Sequence, residues 1–76
     1  METMIQPMIT GYRQLSEAEA DLMNEGKALA EQCGAYIAKL RAQGDALDQR
    51  WVSIGATDIQ QGFMAVTRGI AQPTTF

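Results

Sequence analysis

Histidine is absent from the 76-residue sequence, and cysteine occurs once, as Cys33. A single cysteine excludes a disulfide within the chain, and the same counts exclude an ordinary zinc site built from several Cys and His ligands. Aromatic residues make up only 7% of the chain, and six basic residues face nine acidic ones. The net charge of −3 argues against a partner that is a nucleic acid polymer, because such binding depends mainly on neutralised phosphates.

The sequence also lacks an apolar run near the roughly 20 residues that a membrane-spanning helix needs. Its first residues, METMIQP, do not have the basic-then-apolar order of a secretory signal peptide. A lone free cysteine suits a reducing compartment. These features predict a cytoplasmic protein that has no membrane partner.

The chain is short for a domain that must bury its own core. A chain of this length hides only about 60% of the surface that its unfolded form exposes. Small domains compensate with disulfides, a metal or self-association, and the cysteine and histidine counts leave self-association. The hydrophobic fraction of 46% is ordinary for a globular protein. We therefore expect an ordered domain that assembles as a homo-oligomer.

The spacing of apolar residues predicts two long helices and no strands. The first helix is expected over residues 16–44, where Ser16 and Glu19 form a capping box and Gly44 is a natural stop. A turn over residues 45–49 contains Asp45 and Asp48, either of which can cap the next helix.

The second helix is expected over residues 50–72, followed by a tail over residues 73–76. Before the hairpin, residues 1–15 form an N-terminal segment with a brief helical turn. The predicted fold class is therefore all-α, with residues 1–76 forming a single domain, a long antiparallel helical hairpin with a short N-terminal helical segment.

Each predicted helix carries one apolar stripe with steps of three and four residues. The first stripe contains Leu22, Gly26, Leu29, Cys33, Tyr36 and Leu40, and the second contains Val52, Ala56, Ile59, Phe63, Val66 and Ile70. Two helices have too little interior to bury both stripes, and most helical stability in proteins comes from packing an apolar face. Several hairpins are therefore expected to pack together.

Three glycines of the second helix, Gly55, Gly62 and Gly69, follow a seven-residue spacing. Each costs up to about 1 kcal/mol relative to alanine in a helix interior, so the row needs a reason. One interpretation is close contact between helices. The other interpretation is a nucleotide pocket whose wall is helix backbone. Both can apply, at different positions along the same helix.

Three side chains are candidates for binding an anionic ligand, and each also has a structural interpretation. Tyr12 beside Arg13 suits stacking on a base and pairing with phosphate, or it closes the end of the hairpin core. Lys27, the only cation in the first half of its helix, is available for an anionic ligand, or it forms a surface ion pair with Glu31. Arg68 lies near the C-terminal end of its helix, where the helix dipole favours a cation. This explanation suffices unless the symmetry of an oligomer brings several copies of Arg68 together to bind a ligand.

Catalysis finds little support in the sequence. Cys33 lies on an apolar stripe, where a thiol is an inert core residue rather than a nucleophile. The scattered carboxylates form no acid–base pair, and no glycine loop that cradles phosphate is present. We expect no catalytic residue, no metal site and no cofactor, and hence no enzyme activity.

Four segments together resemble one family of phage proteins, the anti-CBASS and Thoeris anti-defence sponges that share a helical hairpin domain and sequester cyclic oligonucleotide immune signals. The segments are Gly11-Tyr12-Arg13, Ser16-Glu17-Ala18-Glu19, Asp48-Gln49-Arg50-Trp51 and the run IGATDIQQGFMAVTRGIAQP from Ile54 to Pro73. The resemblance implies a helical homo-oligomer, a hexamer in well-studied members, with no catalytic activity.

The resemblance also implies roles for particular residues. Tyr12 looks like the family tyrosine that stacks on a base of a cyclic dinucleotide, and Lys27 looks like the lysine that contacts the same ligand. Arg68, with Gly69 beside it, looks like the arginine motif of a separate site for cyclic trinucleotides on a threefold axis.

Two residues depart from the family pattern and leave the choice of ligand open. Gly26 stands where a bulkier helix residue is usual, and Ala56 stands where relatives often carry a larger polar or charged side chain. The function that the resemblance implies is sequestration of cyclic oligonucleotide messengers without hydrolysis, which blocks bacterial anti-phage signalling.

The alternative is a small helical oligomer with a structural or protein-interaction role and no nucleotide ligand, which the stripes and glycines explain equally well. A further alternative is a regulator that binds a host protein through exposed Trp51 and Met64.

Overall fold

A computed structural model describes residues 14–74, which form two α-helices joined by a short turn. Helix α1 spans Glu17–Arg41, a 3₁₀ turn spans Gly44–Ala46, and helix α2 spans Gln49–Ala71. The two helices pack against each other, and no strand occurs between residues 14 and 74. The predicted all-α hairpin is confirmed for this part of the chain. The brief helical turn predicted before it falls in residues 1–13, outside the described residues.

Helix α1 begins at the predicted capping box. The backbone N–H of Glu19 donates to Ser16 Oγ (3.1 Å), and the backbone N–H of Ser16 donates to Glu19 Oε1 (2.8 Å). Two amides that the first turn leaves without a helical partner are thereby satisfied. The carboxylates of Glu17 and Glu19 also lie at the positive end of the helix dipole.

The end of α1 differs from the prediction by three residues. The helix stops at Arg41, and Gly44 lies inside the turn with φ +57°, a left-handed conformation that suits glycine. Gln49 holds this turn closed, because its Nε2 donates to the carbonyls of Leu40 (3.1 Å) and Gly44 (2.9 Å). The glycine therefore reverses the chain rather than marking the last residue of the helix.

Of the two aspartates predicted as possible N-caps of the second helix, Asp48 is the one that caps α2. Its side chain accepts hydrogen bonds from the backbone N–H groups of Arg50 (3.1 Å) and Trp51 (3.3 Å), while Asp45 lies within the 3₁₀ turn. Helix α2 ends where Gln72 adopts a left-handed conformation and its N–H donates to a carbonyl in the last turn (2.8 Å).

Burial within the hairpin is shallow. No side chain among residues 14–74 is fully buried, and the buried apolar residues are Ile37 on α1 and Ala56 on α2, which are 9% and 8% exposed. The described residues contain no third element that covers the two helices. The hairpin is therefore a single layer whose interior is the seam between two helices.

The apolar stripe predicted for α1 meets α2 only along one edge, where Cys33 is partly buried and lines a groove shared with α2. Leu22, Leu29 and Tyr36 are 51%, 49% and 60% exposed, whereas Ile37, which lies outside that stripe, is buried. Partly buried Ala30 lies close to Ile37 in the helical projection. Small residues let two helices approach closely, so the contact face is turned away from the row of largest side chains.

The stripe predicted for α2 is confirmed in part. Ala56 is buried, and its neighbours Val52 and Phe63 are partly buried. Ile59 and Val66 remain exposed, with Val66 retaining 62% of its surface. Both helices thus contribute large apolar side chains that the hairpin alone leaves uncovered.

Candidate functional site

One side of the hairpin carries most of the large exposed apolar residues of both helices, whereas exposed Met64 projects to the other side. Leu29 is rotated by about 80° around α1 from buried Ile37, and Val66 is rotated by about 80° in the same sense around α2 from buried Ala56. In an antiparallel pair, equal rotations away from the seam point to the same side. A groove lined partly by Cys33 and Val66 crosses from one helix to the other there.

We call this side the apolar face. It is defined by Leu22, Leu29 and Tyr36 on α1 and by Ile59 and Val66 on α2.

The candidate ligand-binding cations lie on the opposite side. Lys27 precedes Leu29 by two residues, and Arg68 follows Val66 by two residues, which is a rotation of about 200° in each helix. Gln60 also projects to this side, and it lines a second groove near the turn that includes the cation Arg41. We call this side the polar face and define it by Lys27, Gln60 and Arg68.

Lys27 is exposed in the middle of α1. The surface pair with Glu31 that its spacing allows is not formed, and within residues 14–74 the Lys27 ammonium has no acidic partner. A lysine ammonium presents three hydrogen-bond donors and a point charge. In the described part of the chain, the side chain is therefore available to an anion from solvent.

Arg68 and Gly69 are exposed in the last turn of α2. The helices are antiparallel, so this turn lies beside the N-terminal half of α1, at the end of the hairpin remote from the connecting turn. Lys27 and Arg68 therefore share both a face and an end of the molecule. Lys27 and Arg68 line neither of the two grooves that the described residues form.

Tyr12, the third predicted ligand contact, lies outside the described residues. Its pairing with Lys27 on one ligand stays a prediction.

The glycines of both helices are not needed for the contact between α1 and α2. A Cβ atom built on Gly26, Gly55, Gly62 or Gly69 has no neighbour within 4 Å. Alanine would fit at each position without disturbing the described hairpin and would favour the helix by about 1 kcal/mol. The reason for these glycines therefore lies outside the packing of α1 against α2.

Asn24 is a polar residue that the pattern of apolar residues does not single out. It is 8% exposed, one turn before Lys27 on α1, and its side chain forms no hydrogen bond within residues 14–74. A buried amide without a partner costs roughly 1–3 kcal/mol. The spacing of three residues from Lys27 is the one signal in the sequence that links Asn24 to the candidate site.

Trp51 and Met64 are both exposed, at 63% and 65%, as the host-protein alternative requires. Thirteen residues separate them on α2, which places them about 140° apart around the helix. They therefore do not form one continuous docking surface on this hairpin.

The described residues offer neither a metal site nor a membrane span. Between residues 14 and 74, no group of three or more Cys, Asp or Glu side chains could hold a metal ion. Neither of the two helices is long and apolar enough to cross a membrane.

The fold and the site together define a class: a helical hairpin domain with an uncovered apolar face and cations on the opposite face. Residues 4–71 match the family model described as Acb2/Tad1, hairpin domain. The chain is also 31% identical over 98 residues to Anti-CBASS protein 2 of Pseudomonas phage JBD67, in an alignment covering 86% of this chain and 91% of that protein. The chain belongs to the Acb2/Tad1 hairpin family, which confirms the resemblance drawn from its sequence.

Proposed function

We propose that this protein binds and sequesters cyclic oligonucleotide messengers of bacterial anti-phage immunity without hydrolysing them, in the cytoplasm of the host. Family membership and the anti-CBASS relative support an anti-defence role. The observation on this chain that carries the proposal is the exposed Lys27 ammonium, which has no acidic partner within the described residues. A hairpin with a purely structural role needs no such group.

The proposed dinucleotide site uses Tyr12 and Lys27 from two copies of the chain. A cyclic dinucleotide carries two phosphodiester charges and two bases, so copies related by a twofold axis can present one lysine and one tyrosine to each half. The lysine neutralises a phosphate, and the tyrosine stacks on a base. The Asn24 side chain, buried one turn before Lys27, is a further donor and acceptor close to this site.

The proposed trinucleotide site uses Arg68 and Gly69 around a threefold axis. Three guanidinium groups match three phosphates, and the absence of a side chain at Gly69 lets copies of the last turn approach each other. The smallest closed assembly that has both twofold and threefold axes contains six copies. We therefore propose a homohexamer that offers both kinds of site.

Mass action is the proposed mechanism. Base stacking contributes roughly 1–3 kcal/mol per base, and each hydrogen bond to a charged group contributes roughly 1.5–3 kcal/mol. Two bases and two phosphates therefore contribute roughly 5–12 kcal/mol, and the upper end of this range corresponds to nanomolar affinity. At that affinity, the free messenger falls below the concentration that activates its effector. The net charge of −3 disfavours long nucleic acids, while local cations retain the small ligand.

Calorimetric titration with cyclic di- and trinucleotides tests the proposal, followed by heat denaturation and chromatography of the released ligand. The expected result is tight binding and recovery of intact cyclic nucleotide. Recovery of a linear product would make the protein a nuclease.

Absence of binding to every cyclic nucleotide would favour the second candidate function, a helical oligomer without a nucleotide ligand. The uncovered apolar face is the observation that favours this candidate.

A further inference from the structure

A groove near the turn combines an apolar floor with a cation and an amide. Its volume is about 360 Å³, which lies within the range of small-molecule sites. We call it the turn groove and define it by Gly34, Ile37 and Arg41 on α1 and by Ala56 and Gln60 on α2. Ile37 and Ala56 are the buried apolar residues of the described chain. The floor of the turn groove therefore lies on the seam between the two helices.

The two polar side chains of the turn groove lie toward its opposite ends. Arg41 follows Ile37 by four residues toward the turn, and Gln60 follows Ala56 by four residues away from it. Each separation is about 6 Å along a helix and about 40° of rotation toward the polar face. Neither side chain forms an ion pair or a hydrogen bond within residues 14–74. A guanidinium and an amide are therefore both available to a ligand, on the order of 10 Å apart along the hairpin.

The charges near the turn also favour an anionic ligand. Lys39 and Arg41 lie in the last turn of α1, and Arg50 lies in the first turn of α2. Asp45 and Asp48 are the carboxylates at this end, and that of Asp48 already accepts two backbone N–H groups. Five other carboxylates lie farther from the turn on α1: Glu17, Glu19, Asp21, Glu25 and Glu31. Positive charge therefore predominates beside the turn groove, although the net charge of the chain is −3.

Gly34 leaves one wall of the turn groove open. A Cβ atom built on this residue has no neighbour within 4 Å. Alanine would favour the helix by comparison with glycine, so the packing of α1 against α2 does not explain the residue. Because Gly34 lines the groove, a side chain at this position would take up space inside it. The glycine therefore preserves room for a flat molecule.

We propose that the turn groove binds a small aromatic anion. The ring lies on Ile37 and Ala56, the anionic group pairs with the Arg41 guanidinium, and a polar edge of the ring pairs with the Gln60 amide. Two buried side chains give a floor for one ring, whereas a docked protein segment needs a row of several anchors. Two sources share this chemistry, nucleoside monophosphates and aromatic carboxylates.

The turn groove is separate from the proposed cyclic nucleotide sites. Lys27 precedes Arg41 by fourteen residues, which is about 21 Å along α1. The proposal requires neither a cyclic ligand nor a second copy of the chain. A ligand in the groove contacts both helices of the folded hairpin, so its binding is expected to raise the thermal midpoint.

The first test is calorimetric titration with adenosine monophosphate and with 2-naphthoate, followed by thermal denaturation. Inorganic phosphate and adenosine are the separate halves of the nucleotide. Saturable binding of either aromatic anion with a raised thermal midpoint is the expected result, and each half of the nucleotide is expected to bind about tenfold or more weakly than the whole. Binding of 2-naphthoate alone would identify aromatic carboxylates as the source. Binding of neither aromatic anion would overturn the proposal, and so would a half that binds as tightly as the whole nucleotide.

The second test uses variants paired with controls, each with its helix content checked by circular dichroism. Gly34→Leu fills the groove and is expected to weaken binding about tenfold or more, whereas Ala35→Leu adds the same side chain on the exposed outer side of α1. Arg41→Ala is expected to weaken binding by a similar factor, whereas Lys39→Ala leaves it nearly unchanged. Gln60→Ala is expected to weaken binding of the nucleotide but not of 2-naphthoate, whose ring has no hydrogen-bonding edge.

Native affinity in Gly34→Leu or in Arg41→Ala would overturn the proposal. Loss of nucleotide binding in Lys27→Ala would also overturn it, because that result places the nucleotide at the proposed dinucleotide site. Titration of Gly34→Leu with a cyclic dinucleotide is expected to give native affinity, which separates the two sites. Absence of cyclic dinucleotide binding in the wild-type protein would reject the proposed function without affecting the turn groove.

Discussion

The two faces of this hairpin are made by the same two helices and have opposite chemistry. On α1, Leu29 lies on the apolar face and Lys27 lies on the polar face; on α2, Val66 and Arg68 divide in the same way. A separation of two residues is enough for this division, because it corresponds to about 200° of helical rotation. One face can therefore be covered by another protein surface while the other stays open to a charged ligand. Changes on the two faces are expected to affect different measurements.

The largest effect is expected on the apolar face. Val66→Asp places a charge where a partner surface must be dry, and burial of an unpaired charge is strongly unfavourable. We expect loss of the assembled mass and a fall in the thermal midpoint of more than about 10 °C, read by sedimentation and circular dichroism. Ala65→Asp introduces the same charge one residue away, on the exposed outer side of α2, and is expected to preserve the assembly. Equal damage from both variants would contradict the distinction between the faces.

The next effect belongs to the polar face. Lys27→Ala removes a charge-assisted hydrogen bond worth roughly 1.5–3 kcal/mol, so affinity for a cyclic dinucleotide is expected to fall by about 10-fold to 100-fold. The sedimentation mass is expected to stay native, and Lys27→Arg retains part of the affinity because the charge remains. Lys39→Ala removes an equally exposed lysine from the same helix and leaves affinity unchanged. Unchanged affinity in Lys27→Ala would remove Lys27 from the site.

The salt concentration is expected to affect the two faces differently, so it tests the comparison without a mutation. Raising the salt concentration from about 0.05 M to about 0.5 M shortens the Debye length by roughly threefold and weakens interactions between exposed charges. Ligand affinity is expected to fall several-fold in calorimetry, while the sedimentation mass stays native because apolar burial does not depend on charge. A mass that falls with salt while affinity holds would reverse the roles of the two faces.

The smallest effect is expected at the turn, which belongs to neither face. Asp48→Ala removes the side-chain cap of α2, and loss of such a cap costs about 1 kcal/mol. The thermal midpoint is expected to fall by about 4–8 °C in a chain of this size. Asp48→Asn keeps a side-chain oxygen that can accept the same hydrogen bonds, so most of the thermal stability is expected to be retained. Ligand affinity is expected to stay unchanged in both variants, and a large loss would show that the turn contributes to binding.

The candidate site could be predicted from the sequence only as separate residues. Lys27 and Arg68 are candidates from their charge and position, and the family resemblance gives each a ligand. Their common face and common end of the hairpin follow from the antiparallel packing of α1 and α2. Asn24 is missed because periodic patterns assign an asparagine to the surface. The roles of Tyr12, Lys27, Arg68 and Gly69 in binding stay predictions.

The sequence by itself determined the elements whose causes are local. The capping box at Ser16 acts within three residues of chain and is predicted from the sequence alone, whereas for the second cap the sequence leaves both Asp45 and Asp48 open. Helical periodicity likewise requires no knowledge of a partner. The same locality explains the error at the end of α1, where the pattern around Gly44 predicts a stop but the glycine serves in the turn that Gln49 closes.

Only the tertiary structure decided which face of α1 meets α2. A helical pattern shows that Leu29 and Tyr36 lie on one side, but the choice of contact face depends on how closely two backbones approach. Smaller residues around Ile37 lie at the contact between the helices, and the largest apolar side chains of α1 face outward. That choice separates the apolar face from the polar face, because a two-helix layer has one seam and two open sides.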